Sequence, residues 1–298
     1  MEKLFRLAMD AAVEAGKEIM RIYNDPSQDF GIEIKADQSP LTLADKASHA
    51  CIMRHLLPTG IPVLSEEGAH LPYEQRKAWH KLWIVDPLDG TKEFIKKNGE
   101  FTVNIALVID GTPLFGAIYV PATDVIYMGI VGTGAWRIVK EKPVRNRRTA
   151  QEISEDTEPS ARQKSRPKER PLDFQSLPLR SLSDRTDFTV VASRSHINPE
   201  TEDFIGEMRS SRGEVQLVSR GSSLKICLVA EGSADVYPRF APTMEWDTAA
   251  GDAIARAAGC KVLDAKTGLP LIYNKPDLHN PWFIVEGEGV SVDLTKSK

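Results

Sequence analysis

Cysteine is scarce in this chain. Only Cys51, Cys227 and Cys260 occur among 298 residues, odd in number and far apart in apolar surroundings. That pattern excludes a disulfide framework and suits buried thiols in a reducing cytosol. The six histidines show no ligand spacing, so zinc is not expected. No run approaches the roughly 18 apolar residues of a membrane-spanning helix. The N-terminus, Met1 to Asp10, is broken by charges and lacks the apolar core of a secretory signal. Charge of one sign is also missing: 38 basic against 42 acidic residues leave a net −4, which excludes a general nucleic-acid binder. The remainder is ordinary globular material, 41% hydrophobic and 27% charged. Its length fits one large domain or two smaller ones.

Apolar periodicity supplies the elements. Leu4, Ala8, Ala11, Ala12, Ala15, Ile19 and Ile22 recur at three- and four-residue steps, predicting an amphipathic helix over 2–23. Thr42-Leu43-Ala44-Asp45 has the form of a capping box, so a second helix starts there and stops before Pro58. Ile61 to Leu64 and Leu82 to Val85 read as short core strands. An antiparallel meander follows: Phe101–Ile109, a turn at Asp110-Gly111, Leu114–Val120, Val125–Ile130 and Ala135–Val139. Residues 141–187 are rich in charge and proline and poor in apolar side chains. They are expected to form a flexible surface excursion, dividing an N-terminal α+β part (1–140) from a C-terminal α/β part (188–298). In the latter, strands at 188–192, 215–218, 234–237 and 261–263 alternate with helices at 200–210, 222–230 and 247–258, Gly259 ending the last.

Two stretches carry the chemistry: Trp83-Ile84-Val85-Asp86-Pro87-Leu88-Asp89-Gly90-Thr91 and Glu245-Trp246-Asp247-Thr248. Asp86 closes an apolar run, where a carboxylate is costly without a cation or donor. Asp89 follows in what reads as a turn, Asp247 opens a helix, and Glu66 ends another strand. Taken singly, each has a structural explanation: Asp-Gly is a turn and an Asp before a helix is a cap. If the four converge, they repel one another unless divalent cations intervene, and oxygen donors suit Mg²⁺. The spacing is wrong for an EF-hand loop. It is also wrong for the haloacid-dehalogenase nucleophile, whose aspartates are separated by one residue rather than two.

Asp86-Pro87-Leu88-Asp89-Gly90-Thr91, Ser65-Glu66-Glu67 and Trp246-Asp247 resemble the three signatures of the inositol monophosphatase-like superfamily, Mg²⁺-dependent and lithium-sensitive phosphatases. Val191 to His196, Gly221 to Lys225 and Tyr237 to Asp247 are similar to its bacterial 3'(2'),5'-bisphosphate nucleotidase branch. The likeness spans nearly the whole chain except 141–187. It implies a layered α/β/α/β/α sandwich with the site between two subdomains. It also implies two or three Mg²⁺ ions: one held by Glu66, Asp86 and the Leu88 carbonyl, its neighbour by Asp86, Asp89 and Asp247. Thr91 with Glu66 would orient and deprotonate the attacking water. Gly90 and Thr91 would offer backbone N–H groups to the phosphate if a helix starts there. Asp45 matches a position near a third metal or its water, with plain helix capping as the alternative.

The substrate implied by the resemblance is 3'-phosphoadenosine 5'-phosphate, cleaved to AMP and phosphate during sulfate assimilation. Lys225 and Arg239 would meet the 5'-phosphate, Ser222 would assist, and Ser193 and His196 would line the nucleoside side. The superfamily also contains inositol monophosphatases and fructose-1,6-bisphosphatases, which stand as the alternative substrates. A non-catalytic phospho-ligand sensor would carry a damaged acid or threonine, and these motifs carry none. A cytoplasmic enzyme is expected, and weak peripheral attachment to the inner membrane's cytoplasmic face is implied only by the resemblance.

Overall fold

The apolar run that ends at Asp86 lies inside the larger of two main sheets. The computed structural model describes residues 1–27, 29–35, 39–68, 71–140, 172–180, 187–193 and 198–293. Helix α1 (Glu2–Tyr23) leads to a small hairpin, β1 (Glu33–Ile34) with β2 (Pro40–Leu41), and then to α2 (Leu43–Leu56). The larger sheet is built in chain order from β3 (Val63–Ser65), β4 (Lys81–Asp89), β5 (Thr102–Ile109), β6 (Thr112–Val120), β7 (Val125–Ile130), β8 (Gly134–Lys140) and β9 (Leu172–Ser176). Two short helices, α3 (Tyr73–Arg76) and α4 (Thr91–Ile95), flank β4 in sequence.

The second sheet has the order β11-β10-β12-β14-β13, from β10 (Phe188–Ser193), β11 (Val215–Arg220), β12 (Val236–Arg239), β13 (Lys261–Asp264) and β14 (Phe283–Glu286). Its helices are α5 (Pro199–Arg212), α6 (Leu224–Ala230) and α7 (Glu245–Ala257). β10 runs parallel to β11 and β12, while β14 is antiparallel to β12 and β13.

Side-chain alternation sets the layers. In β4, Trp83 and Val85 join the core under α1 and α2, while Leu82 and Ile84 face the opposite way, into a core shared with α6 and α7. Both faces of the larger sheet are thus covered, which is why β4 and β5 read as near-continuous apolar runs. A third core, with Val190, Phe204, Met208 and Ile284, joins α5 to the far face of the second sheet. The order is α1/α2, large sheet, α6/α7, small sheet, α5: the layered α/β arrangement that the resemblance implies.

Helix α7 lies almost on the backbone of the large sheet. A methyl group at Gly116 of β6 would stand 2.1 Å from the Ala250 carbonyl oxygen, and one at Gly129 of β7 would stand 2.5 Å from Ile254 Cα. Glycine within these strands is what allows the approach.

Several expectations need correction. Asp86 and Asp89 are not in a turn: β4 continues through Asp89, with a bulge between the two acids where pairing to β5 shifts register. The segment 141–187, expected to be an excursion throughout, contributes β9, because Leu172–Ser176 pairs antiparallel with β8 and gains a backbone ladder. Residues 141–171 and 181–186 lie outside the described residues. β14, an apolar Phe-Ile-Val-Glu segment left unassigned above, completes the second sheet. α7 begins at Glu245, so Asp247 sits inside its first turn. Among the described residues, no helix is long and apolar enough to cross a membrane.

Candidate active site

Parity along β4 aims Asp86 at the same face as Leu82 and Ile84, the face covered by α7. The bulge then re-aims Asp89, and α7 brings Asp247 from the other side. One carboxylate oxygen from each of Asp86, Asp89 and Asp247 lies within 4.8 Å of the others. β3 pairs in parallel with β4, so Glu66 follows Ser65 directly beside Asp86; its N–H donates to the Val85 carbonyl at 3.1 Å.

Each acid is pinned. The Leu88 N–H donates to Asp86 Oδ1 at 3.0 Å, and the Met244 N–H donates to Asp247 Oδ2 at 2.8 Å in a helix-capping arrangement. Asp89 Oδ2 accepts from the Ser223 N–H and the Ser223 hydroxyl, both at 2.6 Å. Asn104 of β5 donates to the Ser223 hydroxyl oxygen at 2.9 Å, tying α6 to the sheet.

Electrostatics oppose the cluster as it stands. Burial, followed by the charges of Glu66, Asp89 and Asp247, pushes the Asp86 carboxyl well above its ordinary range. Burial and then Asp89 push Asp247 up to about 8. Glu66 is raised by burial against the pull of Lys35. Among the described residues, no ion pair reaches Asp86, Asp89 or Asp247. An all-oxygen set of converging carboxylates, with the Leu88 carbonyl nearby, fits a hard divalent cation such as Mg²⁺.

The catalytic threonine expected at the end of the motif stands at the first position of α4. Its hydroxyl donates to Asp45 Oδ1 at 3.0 Å, with the Leu88 carbonyl at 3.3 Å. Asp45 is buried and also accepts from the N–H and hydroxyl of Thr42, forming the capping box of α2. Helix capping, one of the two readings of Asp45, is therefore what the structure shows, and the same carboxylate also holds Thr91.

A cleft of about 650 Å³ opens over these groups. Glu66, Asp89, Gly90, Thr91 and Asp247 line it together with Ser222, Lys225 and Arg239. Lys225 is 6% exposed; its ammonium donates to the Ser222 carbonyl at 2.7 Å and stands 5.6 Å from the Tyr237 ring centre. Burial lowers its pKa to about 8, although Asp89 pulls the other way. The Ser222 hydroxyl and Arg239 Nε are buried without a hydrogen-bond partner. Ser193 ends β10, and His196 lies outside the described residues. Leu88 is buried beneath the cleft.

Three participants escaped the sequence reading. Lys35, beside the β1–β2 hairpin, donates to Glu66 Oε1 at 2.8 Å and also to Glu67. Nothing local in the sequence announces that pairing. Ser223 was visible only as part of Gly-Ser-Ser-Leu-Lys, and Asn104 as one polar residue in an apolar strand.

Comparison with known proteins shows the family. The family model described as the inositol monophosphatase family matches residues 1–287. The chain belongs to the inositol monophosphatase family. Among curated members, the 3'(2'),5'-bisphosphate nucleotidase CysQ of Shigella flexneri is 44% identical over 277 residues, covering 92% of this chain and 96% of that protein. The Salmonella typhimurium protein of the same name is 42% identical over 288 residues, covering 96% and 98%. The crystal structure of CysQ from Bacteroides thetaiotaomicron superposes with a TM-score of 0.77 at 49% identity, covering 96% of this chain and 97% of that one.

Proposed function

We propose that this family member is a Mg²⁺-dependent 3'(2'),5'-bisphosphate nucleotidase that hydrolyses 3'-phosphoadenosine 5'-phosphate to AMP and phosphate. One observation carries the reading: the Asp86, Asp89 and Asp247 carboxylates converge, and the cleft that Asp89 and Asp247 line also presents Lys225 and Arg239. A substrate with two phosphates can use both, the acids through metal ions and the cations directly. The name shared by relatives at 42–44% identity points the same way.

Asp86, Asp89, Asp247, Glu66 and the Leu88 carbonyl would hold the ions, which polarise the 3'-phosphate and acidify a water when bound. The Thr91 hydroxyl donates its hydrogen bond to Asp45, which leaves its oxygen lone pairs to accept from the attacking water. Glu66 receives that water's second proton. Lys225, held by backbone carbonyls, presents fixed positive charge without a long side-chain search. The unpartnered Arg239 Nε and Ser222 hydroxyl are donors for the 5'-phosphate. The water oxygen bonds to phosphorus as the 3' P–O bond breaks, and the released 3'-oxygen takes a proton from solvent. A cytoplasmic enzyme fits the three buried, free cysteines.

The test is turnover by purified protein with Mg²⁺ on 3'-phosphoadenosine 5'-phosphate, inositol 1-phosphate and fructose 1,6-bisphosphate. The nucleotide should have the highest kcat/KM. Faster hydrolysis of either sugar-type substrate rejects the assignment.

A further inference from the structure

Three side chains outside the cleft form a second cluster with different chemistry. We propose that Glu14, Cys51 and His55 form a site for a soft or borderline divalent cation, represented by Zn²⁺, between α1 and α2. One ligand atom from each residue lies within 4.8 Å of the others. Cys51 and His55 are four residues apart on α2, so one stands above the other on the same helix face. Glu14 comes from α1, which packs alongside. Helical spacing supplies two of the ligands and the packing of the two helices supplies the third. The site runs against the expectation from sequence that zinc is absent, because its third ligand comes from a second helix.

The arrangement has a bottom and a mouth. Cys51 is 1% exposed, the His55 side chain 24% and the Glu14 side chain 52%. An ion would enter from solvent past the carboxylate and meet the thiolate at the floor, retaining water in its fourth position. His55 Nε2 and Glu14 Oε2 are 2.9 Å apart, so both atoms already face the same point. The proton shared there is the one a cation would replace.

Thiolate, imidazole and carboxylate together select Zn²⁺ or a similar transition ion over Mg²⁺, whereas the all-oxygen cleft has the opposite preference. The two sites are therefore chemically separate. Binding converts the Cys51 thiol to a metal-bound thiolate and releases its proton to solvent, with no change of oxidation state. The other charged groups facing the cluster are Lys17 and Glu18 of α1 and Arg54 of α2. An ion here would tie α1 to α2, the helix whose first turn carries Asp45.

Co²⁺ titration of the full-length protein, stripped with chelator, tests the site. Co²⁺ bound to thiolate gives a sulfur-to-metal charge-transfer absorption that carboxylate sites cannot give. One equivalent should produce that absorption, Zn²⁺ should abolish it, and excess Mg²⁺ should leave it. His55→Ala and Glu14→Gln, both at partly exposed positions, should weaken Co²⁺ binding roughly tenfold or more, at least the scale on which outer-shell partners act. Cys51→Ser should remove the absorption, and the two surface variants decide the matter if that buried change prevents folding. No charge-transfer absorption means that His55 and Glu14 form an ion pair only. An absorption that persists in Cys51→Ser, or is unchanged in both surface variants, assigns the thiolate to Cys227 or Cys260. Either result overturns the proposal.

Discussion

Asp247 is held inside the protein next to Asp89, and without a cation its ionised form is disfavoured. Its folded pKa, about 8, lies above the ordinary 3.8. Its contribution to stability is therefore fully present below pH 3.8 and is lost as pH rises through about 8. Chelator-treated protein should show a falling Tm across that window, and Mg²⁺ should restore most of the loss at the alkaline end. Asp247→Asn keeps an acceptor for the Met244 N–H while removing the charge. It should flatten the pH dependence of Tm in the metal-free protein and abolish turnover. A Tm of the metal-free protein that rises over the same range contradicts this picture. Thr91 makes a separate point. Thr91→Val removes the hydroxyl but preserves shape, so kcat should drop about 100-fold or more with little change in KM. Thr91→Ser should retain most activity, and steady-state kinetics on the two variants separates a hydroxyl role from a packing role.

At the scale of elements, two features do most to position the site: the bulge in β4 and the close seat of α7. The strand, the helix and all four acids were legible, because apolar periodicity and misplaced charge are local signals. The bulge was not. Pro87 and Asp89-Gly90 look like a turn, and only pairing with β5 on both sides of the shift keeps them in the strand. β9 was missed for a related reason. Leu172–Ser176 has few apolar residues to mark it, and its ladder to β8 comes from a partner over thirty residues earlier in the chain. Gly116 and Gly129 were readable as strand glycines, but not as the contact surface for α7. Gly116→Ala must push α7 off the sheet, since the new methyl meets a backbone carbonyl rather than a flexible side chain. The cost should be about 1–3 kcal/mol, the usual scale for overpacking. Activity should fall as well, because Asp247 moves with its helix. Denaturant unfolding together with kcat measures both, and a fully active, equally stable variant argues against the seating described.

On the scale of the whole molecule, the layers explain why acids from distant parts of the chain meet. β4 of the large sheet supplies Asp86 and Asp89, the residue after β3 is Glu66, α7 supplies Asp247, the cap of α6 is Ser223, and the second sheet supplies Arg239. No single part contains the site. Layer order followed from the family resemblance, whereas the bare sequence indicated only a meander followed by alternation. Lys35 shows the limit of local reading. Its ammonium reaches Glu66 and Glu67 across about thirty residues, and only the folded chain brings them together.

The most direct measurement is anomalous diffraction from crystals soaked with Mn²⁺ in place of Mg²⁺. A peak coordinated by Asp86, Asp89 and Asp247, lost in the Asp89→Ala crystal along with turnover, is the expected result. A protein that cleaves the bisphosphate nucleotide while these three carboxylates hold no metal would contradict the account.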